Sequence, residues 1–270
     1  MLVGTDEATT CVGLVIRNQR TGMISVAHMD STKIVDIGIT QMLSLVTSYD
    51  SDANLDVHMV GGFEDVSPKH FNGSSSSKSH GKLDGYSLPL CTKIIETLRW
   101  RPEKFHIQTL FVLRHNTKRD FQGNAYPILT GFVVETSSGS LKPASFDRTA
   151  RCPDEIVRRI RVTACYKDST WNGRLLETYD TEADCFVISP CSWTEGLLYD
   201  AQTLQNLCDT EILLGCSTSP FAEGPDFVDN LRRQWEYLIK YPDWKDSFPV
   251  KQPRIFERTA DGGWKRRLES

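Results

Sequence analysis

Cys11 and His28 are the residues whose types and spacing most directly allow chemistry in this chain. A cysteine thiol titrates near about 8.5, so little is thiolate at neutral pH; a histidine beside it takes the proton and later returns it to a leaving group. The residues between them read as a β-hairpin: an apolar stretch at 11–16, a polar turn (Asn18-Gln19-Arg20-Thr21-Gly22) and a second apolar stretch at 23–28. Opposed residues of an antiparallel hairpin have numbers with a constant sum. With the turn centred between Gln19 and Arg20 that sum is 39, which predicts Cys11 directly opposite His28, their Cβ atoms about 5 Å apart. A third member, an oxygen that fixes the imidazole tautomer, completes such a site. Thr5, six residues before Cys11 on the entry to the strand, is the candidate. On the hairpin alone, a buried cysteine packed beside a core histidine is the commoner arrangement.

The elements that must position these groups are ordinary ones. A chain of 270 residues, 39% hydrophobic and 24% charged, suffices for one domain with a full core. A net charge of −4, with 31 basic and 35 acidic residues mixed along the chain, gives no electrostatic footprint for nucleic acid. Arg158-Arg159-Arg161 is expected on a solvated helix face. No apolar run approaches the roughly 20 residues of a membrane span, and no secretory leader is legible. The eight cysteines form no CxxC pair; that argues against zinc and for a reducing setting, cytoplasmic or nuclear.

Residues 34–49 have apolar positions at helical spacing (39, 42, 43, 46), and residues 55–60 alternate as a strand running into Gly61-Gly62. The serine-rich stretch at 67–86 reads as a mobile polar loop. A helix follows, with Ser87 as its expected cap, Pro89 in its first turn and Cys91, Ile94, Ile95 and Leu98 as its stripe. Residues 105–113 read as a strand, 128–136 with 141–146 as a hairpin, 154–160 as a helix, 174–179 with 185–188 as another hairpin, and 226–240 as a helix ended by Pro242. Hairpins interspersed with helices predict an α+β fold with mainly antiparallel sheets, and no composition break divides residues 1–270.

The segment Thr5-Asp6-Glu7-Ala8-Thr9-Thr10-Cys11 resembles the active-site segment of the protein N-terminal asparagine amidohydrolase family. The resemblance recurs in order at Val57-His58-Met59-Val60-Gly61-Gly62-Phe63, Ser189-Pro190-Cys191-Ser192-Trp193 and Ser217-Thr218-Ser219-Pro220-Phe221-Ala222-Glu223, before a helix opening Pro225-Asp226-Phe227-Val228. It implies an α-β-β sandwich of the kind shared with chemotaxis glutamine deamidases and toxins of the cytotoxic-necrotizing-factor type. A Ser or Thr six before the cysteine belongs to the implied triad, which supports Thr5. Extra length near 74–77 and 168–173 is similar to plant members. Members carry several tens of residues ahead of this motif, so the resemblance implies a chain shortened at its N-terminus.

The implied activity is hydrolysis of the side-chain amide of an N-terminal asparagine to aspartate within the N-degron pathway, with no metal or nucleotide cofactor. The implied partners are proteins or peptides with N-terminal asparagine and N-degron components, with no nucleic acid and no membrane. A carboxylate is needed for the substrate's α-ammonium, and Asp6, Glu7 and Glu223 are the candidates, each equally readable as a helix-terminal or surface acid. Ser192, Trp193, Ser217 and Ser219 are further pocket candidates, although Trp193 fits a core equally well. His58 reads as structural; His70 and His80 read as solvated. Two rivals stay open: a deamidase of internal glutamines, and a non-catalytic module that binds peptide N-termini.

Overall fold

Asn18 decides how the first hairpin closes. Its side-chain oxygen accepts from the Arg20 and Thr21 amides at 2.9 and 3.1 Å, an Asx turn, while Gly22 takes the left-handed conformation, φ 73°. The turn is therefore centred one residue later than its composition suggests, with the Asn18 amide bonded to the Met23 carbonyl.

The computed structural model describes residues 1–47, 52–66, 85–176 and 178–267. Its contacts divide the chain into two compact units: residues 1–146 with 172–175 and 218–224, and residues 147–171, 176–217 and 225–270.

The first unit contains β1 (Leu2–Thr5), β2 (Val12–Asn18), β3 (Ile24–Met29), α1 (Val35–Thr47), β4 (Asn54–Gly61), α2 (Ser87–Arg99), β5 (Lys104–Phe111), β6 (Thr117–Arg119), β7 (Ala125–Pro127), β8 (Phe132–Glu135) and β9 (Leu141–Pro143). Four strands form one sheet in the order β3-β2-β4-β5, antiparallel except for the β4–β5 pair. A parallel pair needs a crossover, and α2 supplies it. β1, β8 and β9 form a separate antiparallel sheet.

Central strand β2 is apolar on both faces, as a strand covered on both sides must be. Val12, Leu14 and Ile16 face the helices: Val12 and Cys91 both stand beside Gly62, and α1 packs on β2 and β3. Gly13 and Val15 face the other way, where Val15 and Val60 pack on Phe132 of β8. Helices, four-stranded sheet and three-stranded sheet thus lie in three successive layers. The expected α+β composition with mostly antiparallel strands is what the chain adopts.

Two local expectations change. Ser87 does not cap α2; it is the first helical residue, and its hydroxyl bonds the Phe63 amide and the Thr10 carbonyl. The Asp65 carboxylate takes the capping role, accepting from the Tyr86 and Ser87 amides at 2.6 and 3.3 Å. Of the polar loop expected at 67–86, residues 67–84 lie outside the described residues, as do His70 and His80.

The second unit holds α3 (Glu155–Lys167), β10 (Tyr179–Asp180), β11 (Cys185–Ile188), α4 (Glu195–Leu204), α5 (Asp209–Cys216), α6 (Phe227–Lys240), α7 (Trp244–Ser247), β12 (Arg254–Arg258) and β13 (Trp264–Arg266). Its four strands pair antiparallel in sequence order, and its core gathers Val157, Ile160, Ile188, Leu238 and Phe248. The basic cluster on α3 is not a solvated face. Arg161 is buried, and Arg158 turns back to bond the Pro153 and Cys152 carbonyls. Of the strand expected at 174–179, residues 174–176 and 178 are not strand, and Tyr179–Asp180 pairs with β11.

Buried Arg254 is held by the Asp154 carboxylate at 2.7 Å, the Ser247 carbonyl and the Tyr237 hydroxyl. Asp154→Asn removes the carboxylate that, among the described residues, bonds this guanidinium, and keeps a side chain that tolerates the left-handed backbone there, φ 55°. A stranded buried charge costs about 3–5 kcal/mol, and the low end is expected because Asp154 keeps partial exposure. The urea midpoint followed by tryptophan fluorescence should fall accordingly; an unchanged midpoint would show the pair to be dispensable.

Candidate functional site

The register of the first hairpin sets the site. β2 and β3 pair Val12 with Met29, Gly13 with His28 and Leu14 with Ala27, a constant sum of 41 rather than 39. Cys11, one residue ahead of β2, is therefore a diagonal neighbour of His28 and not its direct opposite. A slip of two residues preserves the face, because side chains alternate with period two. His28 points to the side covered by the β1-β8-β9 sheet, where Thr5 bonds it, and diagonal neighbours in an antiparallel pair remain within reach of long side chains.

Gly13 occupies the position opposite His28 and leaves room there. A methyl group on Gly13 would stand 2.4 Å from Cε1 of Phe132 and 2.9 Å from Cγ2 of Thr5. Into that room comes Thr5, carried on β1 by its pairing with Phe132. Thr5 Oγ1 lies 2.9 Å from Nδ1 of His28. The third member named from the sequence is thus in hydrogen-bonding contact with the imidazole, through its hydroxyl, and comes from the other sheet.

Between Thr5 and Cys11 the chain turns back sharply. Glu7 has φ 59°, and the Ala8 amide bonds the Thr130 carbonyl. Thr9 and Thr10 are buried and fasten the segment Thr218–Gly224: Thr10 Oγ1 lies 2.8 Å from Thr218 Oγ1, and Ser219 Oγ bonds Thr9 Oγ1 at 3.0 Å. Gly61, with φ 113°, ends β4 against this segment, where a Cβ would meet the Cys11 carbonyl oxygen at 2.6 Å. Gly61 therefore serves close approach to the main chain of Cys11, while Gly62 lies against Ser87, Cys91 and Val12.

Burial, and after it the carboxylates of Asp30 and Glu223, push the Cys11 thiol up to about 12, against a hydrogen bond to Thr10 that pulls it down. Asp30 was not foreseen. With the sum of 41 it is the position opposite Cys11, so the correct register was the signal that would have found it.

The other candidates divide by unit. In the first unit, Asp6 anchors a loop by accepting from the Phe146 amide at 2.8 Å, and Glu7 is half-buried. Ser219 is buried and donates to Glu223 Oε1 at 3.4 Å. Glu223 is thus the acid among the three whose charge acts on Cys11. His58 is structural as expected: it is buried, its Nδ1 lies 2.9 Å from Thr109 Oγ1, and burial lowers its pKa. In the second unit, Trp193 is buried in the core with its indole N–H on the Tyr241 carbonyl. Ser192 is exposed ahead of α4, and Ser217 caps the C-terminus of α5. Among the described residues no group of three His, Cys, Asp or Glu could hold a metal ion.

Raised thiols make stability fall with alkali. Cys91, 3% exposed, is pushed by burial from 9.0 to about 12. The unfolded chain therefore loses this proton first as pH rises; the stability is complete below about 9 and is lost on the way to the folded value. Each such buried thiol contributes a slope of about 1.4 kcal/mol per pH unit over that range. Urea midpoints measured upward from pH 8 should fall, and less steeply in Cys91→Ala; parallel slopes would contradict the shift.

Comparison with known proteins places the same chain among named relatives. The family model described as protein N-terminal asparagine amidohydrolase matches residues 1–266. An Arabidopsis thaliana protein of that name is 62% identical over 264 residues, 98% of this chain and 75% of its own length. Proteins of that name from Mus musculus and Homo sapiens are each 28% identical over 269 residues, 98% of this chain and 77% of theirs.

Proposed function

Because this chain belongs to the protein N-terminal asparagine amidohydrolase family, we propose that it is a cysteine-dependent enzyme that deamidates N-terminal asparagine to aspartate. The observation that supports the assignment of the groups is the Thr5–His28 hydrogen bond of 2.9 Å, on a hairpin whose first strand Cys11 directly precedes.

With Nδ1–H donating to Thr5 Oγ1, Nε2 of His28 is the basic nitrogen. It takes the Cys11 proton as the sulfur attacks the side-chain amide carbon, and the Cys11 N–H holds the oxyanion. Losing one such donor typically costs about 3 kcal/mol of transition-state stabilisation. As the C–N bond breaks, His28 returns the proton to the departing ammonia and a thioester remains. Water, deprotonated by His28, then attacks the thioester; the sulfur leaves and takes back the proton, and the side chain is released as aspartate. The residues need neither metal nor nucleotide for this sequence.

The substrate's α-ammonium requires an acid, and Glu223 is the best supported of the three candidates, since it faces Cys11 from a segment fastened to Thr9 and Thr10. Asp6 and Glu7 shape the turn that leads to the nucleophile. Ser219 orients Glu223; Ser192, Trp193 and Ser217 belong to the second unit, where Trp193 packs in the core. The family match runs through both units, which supports one amidohydrolase domain over residues 1–270. The three layers of the first unit are consistent with the α-β-β cysteine-hydrolase fold of the deamidase toxins. Among the described residues no helix is long and apolar enough to cross a membrane. Together with eight free thiols, a reducing cytoplasmic or nuclear setting in the N-degron pathway is the proposed context.

The test is ammonia release from three peptides bearing N-terminal asparagine, N-terminal glutamine or internal glutamine. Turnover confined to the first is expected. Turnover of internal glutamine would favour a side-chain deamidase of folded proteins, and turnover of none would leave only a binding module.

A further inference from the structure

Phe221 stands in the segment Thr218–Gly224 with 80% of its surface in solvent, in the same unit as Cys11 and His28. A single exposed ring says little by itself; the way its turn is held says more. Ser219-Pro220-Phe221-Ala222 form a β-turn, the Ala222 amide bonding the Ser219 carbonyl at 2.8 Å. Pro220 occupies the second position, where its ring fixes the turn's own backbone angle. The turn is fastened from below. Ser219 is buried with its hydroxyl 3.0 Å from that of Thr9, and the Thr218 hydroxyl lies 2.8 Å from that of Thr10. Thr9 and Thr10 lead directly into Cys11. Phe221 is two residues from Ser219, so their Cα atoms lie within about 7 Å of each other. An aromatic side chain is thus presented to solvent from a stiff turn anchored to the two residues before the nucleophile.

The substrate supplies the complementary requirement. An N-terminal asparagine gives its side chain to Cys11 and ends in its α-ammonium, so the rest of the peptide leaves through its carbonyl. The Cα of the second residue follows 3.8 Å after the first, and the attacked carbon is two bonds from that first Cα. The second side chain therefore starts within roughly 6 Å of the attacked carbon. Whatever it meets must be carried by chain close to Cys11. We propose that Phe221 is a specificity-determining residue, its ring being the wall on which the side chain of the substrate's second residue packs, so that an apolar residue is preferred there. The proposal rests on the deamidase function above and deepens it by naming the class of peptide the site takes. Because the turn is already ordered, little freedom is lost when the ring is covered.

The experiment uses the full chain and two peptides with a free N-terminal asparagine, identical except for leucine or glycine in second place. Ammonia release should give the leucine peptide a kcat/KM about tenfold higher, the worth of roughly 60 Å² of apolar surface removed from water. The difference is expected in KM, because the second side chain is bound alike in ground and transition states. Phe221→Ala should bring the ratio of the two peptides to within about twofold, and Phe221→Leu should keep most of it. Calorimetric titration of Cys11→Ala with both peptides reads the same preference without turnover; adding Phe221→Ala should abolish it there too. A merely structural role would weaken both peptides equally and leave their ratio intact. That outcome, or an unmodified chain that treats the two peptides alike, overturns the proposal. Turnover of both peptides without preference sinks the Phe221 wall alone. A preference in the titration with no turnover by the unmodified chain sinks the deamidase function and leaves the wall standing.

Discussion

Cys11→Ala is expected to reduce ammonia release from an N-terminal asparagine peptide to background, a loss on the order of 10⁴–10⁶-fold in kcat. The methyl group of alanine cannot form the thioester. His28→Ala should match it closely, since groups that act as a unit are far from additive. Thr5→Val is the graded member of the series. It keeps the volume and branching that pack beside Gly13 and Phe132 and removes only the partner of Nδ1. A hydrogen bond to an imidazolium is worth about 1.5–3 kcal/mol, so the expected fall in kcat is roughly 10–100-fold with KM little changed. The measurement is steady-state ammonia release with circular dichroism to verify folding. Normal turnover in Cys11→Ala would remove the nucleophile assignment, and full activity in Thr5→Val would remove the hydroxyl's role while leaving Cys11 and His28 in place.

Gly13→Ala should be nearly as damaging although it adds one methyl group and touches no reacting atom. That methyl would need the space 2.4 Å from the Phe132 ring and 2.9 Å from the Thr5 methyl. Phe132 is fully buried, so it cannot swing into solvent to yield. The three-stranded sheet must instead retreat from β2, and Thr5 retreats with it. Overpacking of this kind costs about 1–3 kcal/mol of stability, and an orienting group displaced by an ångström costs on the order of 10²-fold in rate. Both are expected together: a lowered urea midpoint and a kcat reduced on that scale. A second substitution, Phe132→Leu, relieves the clash and should restore part of the rate in the double variant. Failure of that rescue would show that the methyl acts by another route.

The elements were legible where the pattern was local. Helices α1, α2 and α6, strands β4 and β5 and the first hairpin follow from periodicity and turn residues within each segment. The hairpin that joins Cys11 to His28 was legible too, and a register error of two leaves the parity of its strands intact. Their direct opposition was not, since the Asx turn on Asn18 and the left-handed Gly22 move the turn's centre. The same error hid Asp30. Pairings between distant segments leave no local mark: β1 finds β8 after more than a hundred residues, the Asp65 cap of α2 lies beyond a long polar stretch, and Thr9 and Thr10 find Thr218 and Ser219 across most of the chain. Arg158 and Arg161 misled for a related reason; charge suggested solvent, while carbonyls and packing from elsewhere in the second unit take them in.

Thr5 belongs to one sheet and His28 to the other, at hydrogen-bonding distance, and Phe132 packs between those sheets on Val15 and Val60. The thickness of the sandwich is therefore the quantity that holds the imidazole in tune. On warming, two packed sheets loosen against each other before either loses its own ladder of hydrogen bonds. Turnover should consequently decline several degrees before the far-ultraviolet dichroism does, a chain that stops working while it still looks folded.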